Sequence, residues 1–433
     1  MIEPKVLKGF RDSLPKQEIV RQKLITKVQA IFHSFGFVPI DTPALEYTQV
    51  LLGKGGGETD KQMFRFTDNG GRDVALRFDL TVPLARYVAA NYSNLSFPFK
   101  RYHISKVWRG EKPQKGRFRE FWQCDFDMVG VDNARSDFEI LLLIHTSLTQ
   151  MGVGPFKVMV SHRGLLNRFL SLMGIADKNT AVLRAIDKLN KIGRDGVCTL
   201  LNAESIDDTS IEKLLSFISL EKTSFEATLQ TLSTMFGPCP EIERLTQILS
   251  LLKSCNIEDD FVLDTSITRG LDYYTGIVYE TVLLDMPQIG SICSGGRYNN
   301  LTGLYMKESL PGVGSCIGLD RLIAALEELN SPIVTNSSSA DVMIAATRES
   351  EAWSENLAIK LRQSGISVDC YVGDKGLGQQ FAHAEKNGIP YVITARISDG
   401  TNNYYTLKDI STREVTERID FDSLINLVNK SDD

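Results

Sequence analysis

A chain of 433 residues, 42 % hydrophobic and 24 % charged, has an ordinary globular composition, with room at roughly 150 residues per domain for two or three domains that bury sizeable cores. Its formal net charge of -6 speaks against a uniformly basic nucleic-acid coat, so any RNA contact must use local basic patches. Seven cysteines, at 124, 198, 239, 255, 293, 316 and 370, form no C-x-x-C pair, which disfavours a zinc site or a disulfide framework and fits reduced thiols in a cytosolic protein.

Residues 17–35 carry Val20, Leu24, Val28, Ile31 and Phe35 at helical spacing, with Gly36 as the stop. Extended segments follow, punctuated by Pro39 and Pro43, and then a glycine-rich stretch at 53–58 that lacks the Gly-Lys-Ser/Thr ending of a phosphate loop. Aromatic and β-branched residues predict strands at 63–67, 74–79, 101–108 and 118–130. A helix is expected at 136–151, with His145 among leucines on its apolar face. From 165 to 260 helical periodicity dominates. Strand signals return at 261–284 and 290–298, and a strand-to-helix unit follows at 313–329.

The polar segment 331–339 reads as a linker. Strands at 341–346, 367–372 and 390–395 alternate beyond it with helices at 351–364 and 377–387. A hairpin-like stretch and a helix near 421–429 close the chain, as in a small α/β domain. The divisions expected are 1–164, 165–260, 261–330, 331–339 and 340–433. No stretch approaches the run of about 18 apolar residues that spans a membrane. The first 12 residues, with Glu3, Lys5, Lys8 and Arg11, lack the apolar core of a secretory signal.

Five segments offer chemistry. In KRYHISKVWRGEKPQKGRFREFWQCDFD, residues 100–127, two strand-like runs flank a basic turn at 110–116. Arg109, at a strand end, suits a two-pronged grip on a phosphate, which lysine cannot make. Gln123, Asp125 and Asp127 fall two apart on the return strand and so share a face, where a bound ammonium would find acceptors. A solvated charged hairpin is the plainer reading of the same residues. In LRFDLT, Asp79 and Thr81 share a face opposite Leu80 and either hold an amino group or cap a strand end. RGLDYYTG, at 269–276, joins an arginine to two tyrosines, whose flat rings serve a ligand wall or a half-buried strand. CSGGRY, at 293–298, reads as a close backbone approach or a turn. GVGSCIGLDRL, at 312–322, runs small residues into a helix that carries Arg321, which suits a nucleotide.

In this order, together with KGFRD at 8–12, these segments resemble the histidyl-tRNA synthetases, a family of class II aminoacyl-tRNA synthetases, over about residues 8–430. Segment 17–43 resembles the first class motif, 101–127 the second and 312–326 the third. RGLDYYTG and SGGRY resemble the histidine-specific elements, and the tail from 340 resembles an anticodon-binding domain. The resemblance implies an α+β fold: an antiparallel sheet flanked by helices, with a helical insertion and a C-terminal α/β domain.

It also implies ligation of L-histidine to tRNA(His) with ATP and Mg2+, through a histidyl-adenylate, in a homodimer. Asp79, Thr81, Gln123 and Asp127 would surround the α-amino group, and Tyr273, Tyr274 and Tyr298 the imidazole. Arg109 would hold the α-phosphate and Arg321 the far phosphates. Arg269 would lie near the reacting carboxylate, and Glu111 and Arg117 near adenine and phosphates. Arg109 and Arg269 would be the catalytic pair, and no residue is assigned to a metal. The chain departs from the family pattern at Asp79-Leu80, where many members have glutamate and glycine, and at Asn299-Asn300, where Asp-Gly is usual. A catalytically silent regulatory relative in histidine biosynthesis stands as the rival reading. It typically lacks the C-terminal domain and the arginines.

Overall fold

The structure, a computed structural model, describes residues 1–53, 58–114, 116–267, 273–335, 338–345 and 350–429. Residues 1–12 with 24–329 form one compact unit, and 13–23 with 330–433 a second.

The larger unit is built on an eight-stranded sheet. In chain order its strands are β1 (Val38–Pro39), β2 (Phe99–Trp108), β3 (Glu120–Val129), β4 (Phe156–His162), β5 (Phe261–Leu263), β6 (Ile277–Leu283), β7 (Cys293–Tyr298) and β8 (Gly312–Gly318). They lie side by side as β1-β2-β3-β8-β7-β6-β4-β5. The two edge pairs are parallel and every other neighbour is antiparallel. The expected basic hairpin is the pair β2–β3, in register from Phe99 opposite Val129 to Trp108 opposite Glu120.

Strand β4 had no counterpart in the sequence reading, although Phe156, Val158 and Val160 alternate and are buried, as a strand with one covered face requires. The strand signals at 261–284 resolve into β5 and β6, and residues 268–272 between them lie outside the described residues, as do 54–57 of the glycine-rich stretch. The strand expected at 74–79 is shorter, Asp73–Leu76, and pairs with Leu45–Tyr47 and Arg65–Thr67 in a separate three-stranded sheet.

Helices against the sheet include α1 (Thr81–Asn91), α2 (Ala134–Met151) and α3 (Leu319–Glu328), and Phe32 of the expected first helix, Pro15–Ser34, packs on Tyr102 and Phe126 of β2 and β3. Helix α2 begins in a reciprocal cap, with Asn133 accepting from Ser136 N and Ser136 returning a bond, and ends at Gly152 in the left-handed conformation. Its buried face includes Leu141, Leu148 and Ile144. His145 sits against Phe156 and Phe261 with Nε2 2.9 Å from Asp260 Oδ2, which is a packing role. Six helices between Arg163 and Ser254 make up the helical region. Asp207 and Ser224 cap two of them, and Phe169 stacks on Phe217 at 4.4 Å.

In the second unit, strands Val368–Cys370, Val342–Ile344 and Tyr391–Ser398 are parallel, and Asn403–Asp409 and Val415–Ile419 extend the sheet antiparallel. Separate apolar clusters, around Leu361 and Leu424 and around Ala384 and Ile389, form its core. The linker segment holds one helical turn, Pro332–Thr335.

Candidate active site

A cleft of about 1530 Å³ opens over β3, β8, β7 and β6. Register explains its floor. Gln123, Asp125 and Asp127 on β3 stand opposite Gly318, Cys316 and Gly314 on β8. Cys316 is beside Ser294 on β7, and Ser294 beside Glu280 on β6. Cross-strand partners project from the same face, and Asp125, Cys316, Ser294 and Glu280 all line the cleft. Cys316, Ser294 and Glu280 were not among the expected site residues, and Asp125, read from the sequence as part of the acceptor face, received no role from the resemblance. The alternation that placed Asp125 with Gln123 and Asp127 was the signal for it, whereas the others needed the strand order.

One end of the cleft is acidic. Arg101, wholly buried, places Nη2 2.6 Å from Asp127 Oδ2, and Tyr298 donates its hydroxyl to Asp127 Oδ1 at 2.5 Å. That arrangement requires Gly314, where a Cβ would lie 2.0 Å from Asp127 Oδ1. Asp79 accepts from Val82 N at 3.1 Å and from the Tyr273 hydroxyl at 3.4 Å. Thr81 therefore does not continue a strand. It is the first residue of α1, whose N-cap residue Leu80 makes no side-chain cap; Asp79, one residue earlier, takes up the Val82 N–H instead, and Pro83 fits as an early helical residue.

Tyr273 packs edge-on to Tyr274 and Tyr298 at 5.0 and 5.9 Å. Arg163, at the start of the helical region, donates to the Tyr274 carbonyl at 2.8 Å. No local pattern in the sequence announced this long-range contact.

Burial sets the electrostatics of this end. It pushes the Asp79 carboxyl up to about 6, against the Val82 N–H and the charge of Arg109. It pushes Asp125 up to about 7, against Arg101 and with help from the neighbouring Asp127. Asp127 is also raised by burial, with Arg101 opposing. Among the described residues, Asp125 Oδ1 and Gln123 Oε1 are buried without a hydrogen-bond partner. Two such acceptors in a cleft are suited to a cationic or N–H-bearing ligand.

The other end is cationic. Arg109 leaves β2, donates from Nε to the Phe78 carbonyl at 2.9 Å and lies over the Phe121 ring at 5.2 Å. Glu111 Oε1 is 3.9 Å from Arg109 Nη1. Arg321, in the first turn of α3, donates to the Ser291 carbonyl. Burial and the charges of Arg117 and Arg109 push Arg321 down, but a guanidinium stays charged. Three mutually repelling guanidinium groups facing one space favour a multiply charged anion.

Eleven of the twelve expected site residues thus line one cleft: Asp79, Thr81, Arg109, Glu111, Arg117, Gln123, Asp127, Tyr273, Tyr274, Tyr298 and Arg321. The twelfth, Arg269, lies outside the described residues. The arginine of SGGRY is structural. Arg297 donates to Asp137 Oδ1 through Nε and Nη2 at 2.8 and 2.6 Å, to Ser136 Oγ and to the Val131 carbonyl, fastening β7 to α2.

Comparison with known proteins gives the lineage. The family model described as histidyl-tRNA synthetase matches residues 9–322. The chain belongs to the histidyl-tRNA synthetase family. A second model, an anticodon binding domain, matches residues 337–431. A histidine--tRNA ligase of Treponema denticola is 53 % identical over 90 % of this chain and 88 % of its own length. One from Rhodopirellula baltica is 44 % identical over 96 % and 95 %. The solved histidyl-tRNA synthetase of Nostoc sp. PCC 7120 superposes with a TM-score of 0.87 at 30 % identity, over the whole of both chains. The expected fold class, an antiparallel-rich sheet flanked by helices with a C-terminal anticodon-binding domain, is borne out.

Proposed function

We propose that this chain attaches L-histidine to tRNA(His) at the expense of ATP, through a histidyl-adenylate. One observation carries the reading: a single cleft joins a buried acidic pocket walled by tyrosines to a trio of guanidinium groups. A zwitterionic amino acid and a nucleotide bound head to head need both ends. Asp79, Thr81, Gln123 and Asp127 take the α-amino group, and Tyr273, Tyr274 and Tyr298 border the imidazole. Arg109 holds the α-phosphate, Arg321 the far phosphates, and Glu111 and Arg117 the adenine and phosphate surroundings. Arg269 is assigned near the reacting carboxylate by family resemblance.

The histidine carboxylate attacks the α-phosphorus and pyrophosphate leaves. The nucleophile is already an anion, so no protein base is needed, and positioning plus charge stabilisation by the arginines carry the step. A ribose hydroxyl at the tRNA terminus then attacks the acyl carbon and AMP leaves. Among the described residues no group of three or more His, Cys, Asp or Glu is placed to hold a metal. Magnesium, which is commonly held by one or two carboxylates plus phosphates, fits Glu111 beside Arg109. It would neutralise phosphate charge there.

A cytoplasmic homodimer goes with this reading. No described helix is long and apolar enough to cross a membrane, and Leu45, Tyr47 and Phe66 of the three-stranded sheet are exposed apolar residues that a second copy would cover. We assign residues 1–164 and 261–330 to the catalytic core, 165–260 to a helical insertion, 331–339 to a linker and 340–433 to anticodon binding. The silent regulatory reading is not favoured, given Arg109 and Arg321 in the cleft and the match to an anticodon binding domain.

The test is ATP–pyrophosphate exchange with each amino acid in turn, followed by charging of tRNA(His). Exchange with histidine alone is expected. Its absence, or exchange with another amino acid, refutes the proposal.

A further inference from the structure

The opening segment KGFRD is bound to the cationic end of the cleft by four separate contacts. Arg11 Nη2 lies 2.5 Å from Asp320 Oδ1, and that carboxylate is only 4 % exposed. Asp320 Oδ2 accepts from Trp122 N at 2.6 Å, so the same side chain joins α3 to β3. The Arg11 guanidinium stacks 3.9 Å from the centroid of the Phe118 ring, which lines the cleft. Arg119 donates its backbone N–H to the Gly9 carbonyl at 2.8 Å and Nη1 to the Lys8 carbonyl at 3.2 Å. It also reaches the Glu111 carbonyl through Nε at 3.1 Å, and its own carbonyl accepts from Arg109 N at 2.9 Å.

Gly9 has φ +89°, and a Cβ there would lie 2.7 Å from Arg119 Cδ. Strain and contact both call for glycine at this point.

These contacts share a destination. They end on the base of the β2–β3 turn, which carries Arg109 and Glu111, and on the first turn of α3, one residue from Arg321. Among the contacts described for residues 8–11, none reaches Asp79, Asp125, Asp127 or the tyrosine wall.

We propose that residues 8–11 form a strap that sets the β2–β3 turn against the start of α3, with Arg11 as a positioning residue for the ATP phosphates. The strap rests on the synthetase reading of the cleft. It acts on nucleotide binding and leaves histidine binding alone, because its attachments lie at one end of the site. Lysine at position 11 keeps the charge opposite Asp320 but loses the planar stack on Phe118.

The experiment is steady-state ATP–pyrophosphate exchange by the full chain as wild type, Arg11→Ala, Arg11→Lys and Gly9→Ala, with thermal unfolding of each. Arg11→Ala should raise KM for ATP about tenfold, equivalent to about 1.4 kcal/mol, with KM for histidine within about twofold of wild type. Arg11→Lys should recover part of the loss, and Gly9→Ala should shift KM for ATP in the same direction. Equal rises in both KM values, or an unchanged KM for ATP in Arg11→Ala, overturn the strap while leaving the synthetase reading intact. A wild-type chain without histidine-dependent exchange overturns the reading and the strap with it.

Discussion

Replacing Asp125 by asparagine should make the protein more stable above neutral pH. Asp125 is 2 % exposed, and burial lifts its carboxyl from the usual 3.8 to about 7. A carboxyl that is harder to ionise in the folded chain than in the unfolded one favours folding only while it stays protonated. That contribution is complete below the unfolded value and disappears as pH climbs through about 7. At about 1.4 kcal/mol per pH unit, the interval corresponds to about 4 kcal/mol as an upper bound, since the carboxylate borders an open cleft and water offsets part of it.

Asparagine keeps the shape and never ionises. Relative to wild type, Asp125→Asn should gain about 2 kcal/mol of stability between about pH 5.5 and about pH 8, because most of the remaining titration falls in that window. Equilibrium urea unfolding of both proteins at the two pH values measures the gap. A gap that is constant with pH, or that favours wild type at the higher pH, refutes the placement of a reluctant carboxyl there. KM for histidine should rise in the same variant if Asp125 Oδ1 meets the ligand.

Arg109→Gln should lower the exchange rate by about 10²–10³-fold without moving the unfolding midpoint by more than a few degrees; a rate near wild type contradicts its phosphate role. The same assay on Arg269→His should show abolished exchange in a folded protein. Gly314→Ala forces a methyl against Asp127, and overpacking of this kind costs about 1–3 kcal/mol. Its unfolding midpoint should fall and its KM for histidine should rise, and unchanged values for both count against the tight β3–β8 approach. Arg297→Met strips a wholly buried Asp137 of one of two guanidinium partners. A loss near the low end of the range for broken buried pairs, about 3 kcal/mol, is expected in urea unfolding because Arg244 still pairs with Asp137 Oδ2; a loss below about 1 kcal/mol argues against the network.

What the sequence made legible was mostly local. The β2–β3 hairpin, the Arg321 helix and the alternating strands and helices beyond 340 follow from period-two and period-3.6 patterns that each segment carries by itself. Asp79-Leu80-Thr81 read as strand because of its neighbours, yet Asp79 takes up the Val82 N–H and Pro83 fits the helix that starts there, a case of helix-end hydrogen bonding outranking propensity. Strand β4 was missed beside a long helical region, although Phe156, Val158 and Val160 alternate. The floor formed by Cys316, Ser294 and Glu280, and the reach of Arg163 to Tyr274, depend on strand order and on an inserted helix. No window of adjacent residues contains that information.

The seam between β3 and β8 pairs residue 129 with residue 312, and it has a consequence for biosynthesis. Contacts between such distant positions close a very large loop and form late. On the ribosome, the helices from 163 to 254 are complete before any part of β8 exists. Asp127 has no Gly314 to lie across, and Arg109 no Arg321 to face, until translation has passed those codons. A message that stops short of them yields a chain that keeps Asp125, Asp127 and Glu280 but has no strand beside β3 to complete the floor and lacks Arg321 of the three guanidinium groups, so truncated products should be inert.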